Sequence, residues 1–182
     1  FKQAYGFKTL RTQDPAEVMR RIWAAPTFEV HGLVGGYHGP GVKTVVPGHG
    51  ELKVSMRLVP NQTPEKAFAL LKKHVAKLNP EVTVEREGML HPFRGVFDGP
   101  YVDAVKRAVK AGFGKEPAFI REGGSIGAVV TMQKAWKVPI LFMGLSLPEH
   151  GYHAPNEYFD WGQASGGMKA FVHYFAELAA KR

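Results

Sequence analysis

The sequence has 182 residues, no cysteine and a formal net charge of +8 with histidine neutral. A chain of this length buries enough surface to fold without cross-links, and the lack of cysteine excludes a disulfide scaffold and thiolate-ligated zinc. With 45% hydrophobic residues the composition is that of a globular protein, and no apolar run reaches the ~20 residues of a membrane span. The lysines and arginines are scattered, and two basic stretches, at 66–77 and 106–110, also carry apolar residues at helical spacing. We therefore interpret these charges as solvated helix faces rather than a nucleic-acid-binding surface.

The first half of the chain predicts an α+β arrangement. In chain order the patterns indicate a helix at 14–25, strands at 27–34, 42–46 and 51–59, a helix at 63–78 and a strand around 82–84. The apolar residues from Leu52 to Leu58 alternate with polar residues from Lys53 to Arg57, which predicts a sheet with one covered face. Thr63 is the expected N-cap of the second helix. The order resembles a ferredoxin-like β-α-β-β-α-β sandwich without a clear first strand.

The second half has an α/β rhythm after a loop-like boundary at 88–100. The predicted elements are a helix around 102–109, a strand at 118–120, a helix at 125–136, a strand at 139–143 and a helix at 168–178. The strand at 139–143 is wholly apolar, as expected in a sheet that is covered on both faces.

Polar chemistry collects at three places. The turn from Arg121 to Ser125 lies between a predicted strand and a predicted helix. Free backbone N–H groups and an arginine would bind a carboxylate or phosphate there, but an ordinary strand–helix turn fits the same pattern. The second place is Arg57 on the polar face of its strand, which is either an anion-binding or a solvent-facing arginine. His31, inside an apolar strand, is interpreted as a packed histidine.

The third place is the loop that contains His150, His153 and Glu157. Two histidines and a carboxylate after a predicted buried strand suggest metal ligation, although loop histidines are often surface residues without a function. No histidine is followed two residues later by aspartate, and no two acidic residues are adjacent. The chain therefore offers one ligand cluster but no general base paired with it.

Five motifs occur in a characteristic order. They are His31-Gly32, Gly41–Pro47, Met56–Pro60, Arg121–Ile126, and Gly144–Pro148 leading to His153–Glu157. Together they resemble the di-zinc metallopeptidases and amidohydrolases of the carnosinase, aminoacylase and carboxypeptidase G type, with the cytosolic dipeptidases as the nearest branch. The resemblance covers the chain from about residue 20 to its end.

The resemblance implies a fold and a domain organisation. In that family a ferredoxin-like lid, which also forms the dimer, interrupts the catalytic domain. Residues 1–90 would be the lid or dimerisation domain, lacking its first strand and helix. Residues 91–182 would be the C-terminal part of an α/β zinc-peptidase catalytic domain. The expected fold class is therefore α+β.

The resemblance also implies roles for individual residues. His153 matches the zinc-ligand histidine of the family's His-Ala/Ser-x-Asn-Glu motif, and Arg57 matches the lid arginine that binds the substrate's C-terminal carboxylate. The other residues implied to contact substrate are Thr44, His91, Arg121, Gly124 and Ser125. Thr44 would reach the partner subunit's site, whereas the pattern around His91 departs from the family's glycine-rich version.

The implied function is zinc-dependent hydrolysis of the amide bond of dipeptides or N-acyl amino acids. The intact enzyme would hold two Zn²⁺ ions, of which this chain supplies one ligand. The family's other ligands and its catalytic glutamate belong to an N-terminal half that we do not find in this sequence, and a start at Phe1 suggests a cut from a longer chain. This chain alone is therefore expected to be inactive.

Further expectations concern partners and location. The resemblance implies a homodimer through the lid, the N-terminal half of the catalytic domain as a partner, and neither nucleic acid nor membrane. The absence of cysteine agrees with the cytoplasm. The alternative function is a non-catalytic lid-type module for dimerisation or carboxylate binding.

Overall fold

The computed structural model describes residues 2–122 and 126–180. Its elements are α1 (Pro15–Trp23), β1 (Thr27–Gly35), β2 (Gly50–Arg57), α2 (Pro64–Leu78), α3 (Pro100–Phe113), α4 (Gly127–Trp136), a 3₁₀ turn (Pro148–His150) and α5 (Trp161–Ala179). The chain divides into two units. In the described part, one contains residues 19–93 with 122, 126 and 127, and the other contains residues 2–18, 94–121 and 128–180. None of the helices described is both long and apolar enough to cross a membrane.

The first unit is built on an antiparallel hairpin of β1 and β2. Thr27 lies opposite Arg57 at one end, and Gly35 lies opposite Gly50 at the other. The register shifts in the middle of β1, where His31 is the extra residue of a β-bulge. Its side chain is exposed, so the expectation of a packed histidine at this position is wrong.

The register confirms the predicted alternation of apolar and polar faces, but Leu33 and Leu52 are 78% and 55% exposed, so the predicted cover of the apolar face is missing at that end. Val30 lies opposite Val54, and Leu33 lies opposite Leu52. Because residues that face each other across a ladder point to the same side, these four share the apolar face. Arg57 lies on the opposite face, at the last position of β2.

Helix α2 lies across a cavity from Phe28 and Met56 of the hairpin. Its start is fixed by Thr63, whose hydroxyl accepts a hydrogen bond from the Lys66 N–H at 3.3 Å, and by Pro64 in the first helical position. It ends at Asn79, whose N–H donates to the carbonyl of Val75. Both ends agree with the sequence prediction. A cavity of about 610 Å³ remains between α2 and the hairpin, bordered by apolar side chains that include Phe28.

Four predicted strands are wrong within the described residues. The segments 42–46, 82–84, 118–120 and 139–143 contain neither helix nor strand. A strand requires a partner that receives its backbone hydrogen bonds, and the only described ladder is the one between β1 and β2. Several apolar side chains of these segments are exposed, with 91% for Val42 and 55% for Phe142.

The second unit has its core where α3 packs against α5. Its most buried residues in these helices are Val102, Ala104, Ala108, Gly166, Gly167 and Ala170. Small side chains let the helix backbones approach closely. A Cβ atom placed on Gly166 would collide with the ring of Phe113, so the glycine is required by the packing. An ion pair between Arg107 and Glu177, at 2.7 Å, links the two helices at the surface.

Candidate functional site

Residues 151–157, which we call the histidine loop, carry the candidate metal ligand. His153 is exposed and adopts a left-handed backbone conformation with φ of 63°. Its N–H donates to Glu157 Oε2 at 3.2 Å. Two turn-type bonds complete the loop, from the Ala154 N–H to the Gly151 carbonyl and from the Glu157 N–H to the Ala154 carbonyl. The loop therefore presents the His153 imidazole to its surroundings.

His150, three residues earlier, is in the opposite situation. Its side chain is only 2% exposed, and its Nδ1 accepts the Leu147 N–H at 3.1 Å. Because Nδ1 accepts, Nε2 carries the proton of the neutral ring and donates to Asp160 Oδ2 at 2.8 Å. The rings of Tyr158 and Phe159 pack edge-on against it. Both ring nitrogens of His150 are occupied, so it is not available as a metal ligand.

Asp160 links this histidine to α5. Its Oδ1 accepts the Gln163 N–H at 2.9 Å, which makes it the N-cap of the helix. The hydrogen bond from the Gln163 backbone, followed by that from His150, holds the pKa of Asp160 below its usual value. Its carboxylate is therefore ionised in the folded protein at neutral pH.

Zinc is the metal that the family resemblance implies for this loop. A neutral imidazole such as that of His153 is a common zinc ligand, and a catalytic zinc site uses about three protein ligands. Among residues 2–122 and 126–180, no group of three histidine, cysteine, aspartate or glutamate side chains is placed to hold a metal ion. His153 thus fits as one ligand, and the described residues do not complete a metal site.

The predicted substrate-binding residues of the first unit lie at three separate positions in the chain. Arg57 ends β2 and is exposed. Thr44 is exposed in the connection between β1 and β2. His91 is exposed in a segment without helix or strand, with Nε2 3.8 Å from Glu65 Oε1, an ion pair when the ring is protonated.

The remaining predicted residues belong to the other unit or fall outside the described part. Arg121 is exposed in the second unit, as is His153. Gly124 and Ser125 lie outside the described residues. The structure thus distributes the predicted site residues over the two units.

Sequence reasoning missed the pairing of His150 with Asp160. A signal for it exists, because Asp160 is followed three residues later by Gln163, a common pattern at a helix start. We expected the last helix to begin at Met168. It begins at Trp161, which places the helix start next to the histidine loop.

Comparisons with known proteins agree on the family. The peptidase dimerisation domain family matches residues 3–83. The chain is 32% identical over 98% of its length to the Cys-Gly metallodipeptidase dug1 of Schizosaccharomyces pombe. Among solved structures, it matches human carnosine dipeptidase 1 with a TM-score of 0.86 and 27% identity over 98% of the chain. It also matches the M20 family metallo-carboxypeptidase Sso-CP2 of Sulfolobus solfataricus, with a TM-score of 0.81 and 29% identity over 95% of the chain.

The chain spans only part of these proteins. It covers 39% of the length of the S. pombe dipeptidase. The corresponding shares are 39% for the human structure and 40% for the S. solfataricus structure.

Proposed function

This chain belongs to the M20 metallopeptidase family, and on that premise we propose that it contributes the carboxylate-binding residues and one metal ligand to a dipeptidase-type hydrolase. The substrate class would be dipeptides or N-acyl amino acids, which share an amide bond next to a free carboxylate. The observation that carries the proposal is the relationship to a Cys-Gly metallodipeptidase over 98% of the chain.

Arg57 is the proposed anchor for the substrate carboxylate. A guanidinium group binds a carboxylate through two parallel hydrogen bonds, which gives both affinity and orientation. Arg57 suits this role because it is exposed at the end of a strand whose backbone is held in the β1–β2 ladder. Thr44, His91, Arg121, Gly124 and Ser125 complete the proposed substrate-binding set.

His153 is the proposed ligand to one of two zinc ions in the intact enzyme. The chemistry that zinc supplies in such sites is polarisation of a carbonyl and activation of water. The described residues provide no second and third ligand next to His153, and the chain covers 39% of the S. pombe relative. We therefore propose that the other ligands and the catalytic glutamate come from an N-terminal half of the catalytic domain, and that this chain alone is inactive.

The proposal includes the assembly and the location of the protein. The match of residues 3–83 to a peptidase dimerisation domain supports a homodimer formed through this region. The predicted division is a lid or dimerisation domain at 1–90 and the end of the catalytic domain at 91–182. A cytoplasmic location completes the proposal.

The test is the binding of a dipeptide to the purified chain. We expect NMR titration with Ala-Gly to shift amide signals near Arg57, and alanyl-glycinamide, which lacks the carboxylate, to bind at least tenfold more weakly. An Arg57→Lys variant should lose about tenfold in affinity or more, because a lysine cannot form the bidentate pair. Arg86→Lys, at another exposed arginine of the same unit, is the matched control and should bind normally.

Two results would contradict the proposal. Equal affinities for the dipeptide and its amide would contradict the proposal that Arg57 binds the carboxylate. Chelator-sensitive hydrolysis of Ala-Gly by this chain with zinc would show that the chain is active alone.

A second candidate function is a non-catalytic module for dimerisation or carboxylate binding. It is favoured by the lack of a three-residue metal cluster within residues 2–122 and 126–180. Under this alternative, dipeptide binding would depend on Arg57 but would be unaffected when His153 is replaced in a protein that contains the N-terminal half.

A further inference from the structure

We propose that His150 and Asp160 form a positioning pair that closes the base of the histidine loop and thereby fixes His153 and Glu157. Neither residue would touch metal or substrate. The inference rests on the proposed function only for the role of His153 as a ligand, because the bracing of the loop can be measured without any metal.

The first support is the set of contacts at the two ends of the loop. His150 precedes the loop, and its carbonyl accepts the Tyr158 N–H at 3.1 Å just after the loop. Its ring then bridges from the Leu147 N–H to Asp160. One buried side chain thus joins the segment before the loop to the N-cap residue of the helix that follows it.

The second support is the pair of hydrogen bonds made by the His150 ring, which together fix its tautomer and its orientation. The Leu147 N–H requires an acceptor at Nδ1, so the proton of the neutral imidazole must lie on Nε2. Asp160, an acceptor when ionised, meets that proton at 2.8 Å. The same carboxylate caps α5 through Gln163. The position of the loop base is therefore tied to the start of the longest described helix.

The third support is the backbone of the loop itself. His153 and Asn156 both have φ of 63°, a left-handed conformation that residues other than glycine rarely adopt. Such conformations persist only where surrounding contacts impose them. Within the loop, the hydrogen bonds involve neighbouring residues, such as the Ala154 N–H to the Gly151 carbonyl. The loop has one further long-range hydrogen bond among those described, between the exposed hydroxyl groups of Tyr152 and Tyr5 at 3.0 Å. The bracing at the base, in contrast, connects the loop to the buried side chain of His150.

The consequence for His153 follows from this geometry. Its ring is exposed, and its backbone N–H is bound only to Glu157 of the same loop. If the hydrogen bond between His150 and Asp160 breaks, the backbone of the histidine loop can move, and the positions of His153 and Glu157 change together. His150 and Asp160 would then act on the ligand through the loop rather than by contact.

Amide hydrogen exchange of the 182-residue chain tests this proposal. The main variant is Asp160→Ser, because serine remains a good N-cap for α5 but does not reach the His150 ring. We expect exchange at the Ala154, Glu157 and Tyr158 amides to become about tenfold faster or more, as expected for local opening, while the α3 amides stay within about twofold. His153→Ala is the control and should leave the exchange of Tyr158 unchanged.

Replacing His150 with a residue that keeps a hydrogen-bond donor shows whether the residue positions the loop through its hydrogen bonds or only fills space. The amide of His150→Gln can still donate to Asp160, whereas His150→Ala removes both bridge bonds. We expect the glutamine variant to retain slower loop exchange than the alanine variant. Equal exchange in the two variants would overturn the positioning role, as would acceleration of the loop and α3 amides to the same extent. Unchanged loop exchange in Asp160→Ser would also overturn it.

A zinc titration of the intact enzyme, in which the N-terminal half supplies the remaining ligands, distinguishes this inference from the proposed function. The probe is zinc alone, and the readout is the NMR signals of the His153 ring. A ring that does not respond would contradict the ligand role of His153, whereas the exchange experiment would still decide whether the pair positions the loop.

Discussion

Two histidines only three residues apart have unlike environments in this protein. His150 is buried with both ring nitrogens hydrogen-bonded, while His153 is exposed in a left-handed conformation. The sequence could identify the cluster, and the motif resemblance pointed to His153. It could not reveal that His150 is structural, because its two partners lie three residues before and ten residues after it. Such contacts depend on how the loop closes.

The pKa of Asp160 predicts a contribution to acid sensitivity. The Gln163 N–H and then His150 lower this pKa in the folded state relative to the unfolded chain. The stabilisation is therefore present above the unfolded value of about 4 and is lost as the pH falls through the lower folded value. We expect the melting temperature to fall further between pH 6 and pH 2 in the wild-type protein than in the Asp160→Ser variant.

The serine variant is the suitable comparison because it keeps a neutral cap at the start of α5. Other carboxylates titrate in the same range, so the difference between the two proteins is the quantity that counts. Parallel pH profiles would contradict the assignment of this stabilisation to Asp160.

At the level of elements, helices were predictable and isolated strands were not. The helix α2 has its start and end in local sequence, at Thr63 and Asn79, and both are found in the structure. A strand depends on a partner elsewhere in the chain, which local patterns do not specify. This explains why β1 and β2 were found, whereas the apolar segment at 139–143 has no ladder within the described residues.

The close packing of α3 on α5 gives a stability prediction. A Cβ atom on Gly166 would collide with the Phe113 ring, so the ring or the helix backbone would have to shift. We expect Gly166→Ala to lower the free energy of unfolding by about 1–3 kcal/mol, the usual cost of overpacking. Urea denaturation followed by circular dichroism measures this change.

Gly144→Ala is the control for that experiment. No atom beyond its chain neighbours lies within 4 Å of a Cβ placed there, and its φ is not in the left-handed region. Its effect should stay within about 0.5 kcal/mol. A loss in Gly166→Ala no larger than in the control would show that the helix contact is loose.

At the level of the whole molecule, the proposed site residues are divided between the two units. Arg57, Thr44 and His91 belong to the first, and Arg121 and His153 to the second. The order of the motifs in the sequence identified these residues as candidates. It could not supply distances among these residues, because they depend on long-range packing and on the protein around this chain.

The match to a peptidase dimerisation domain predicts self-association. We expect sedimentation equilibrium of the purified chain to give twice the mass of one chain at micromolar concentration and partial dissociation on dilution. A single-chain mass at every concentration would contradict dimerisation through residues 3–83. Disruption of the dimer by salt alone would indicate an interface dominated by exposed charges.

Because of the bulge in β1, a single residue can be deleted from this strand at one position without changing the pairing of the others. Val30 faces Val54 and Gly32 faces Lys53, which are consecutive on β2. Deleting His31 would therefore leave every other pair of the ladder unchanged, whereas deleting Glu29 would turn Phe28 to the opposite face. In an alignment of related chains, a gap of a single position in this strand belongs at residue 31.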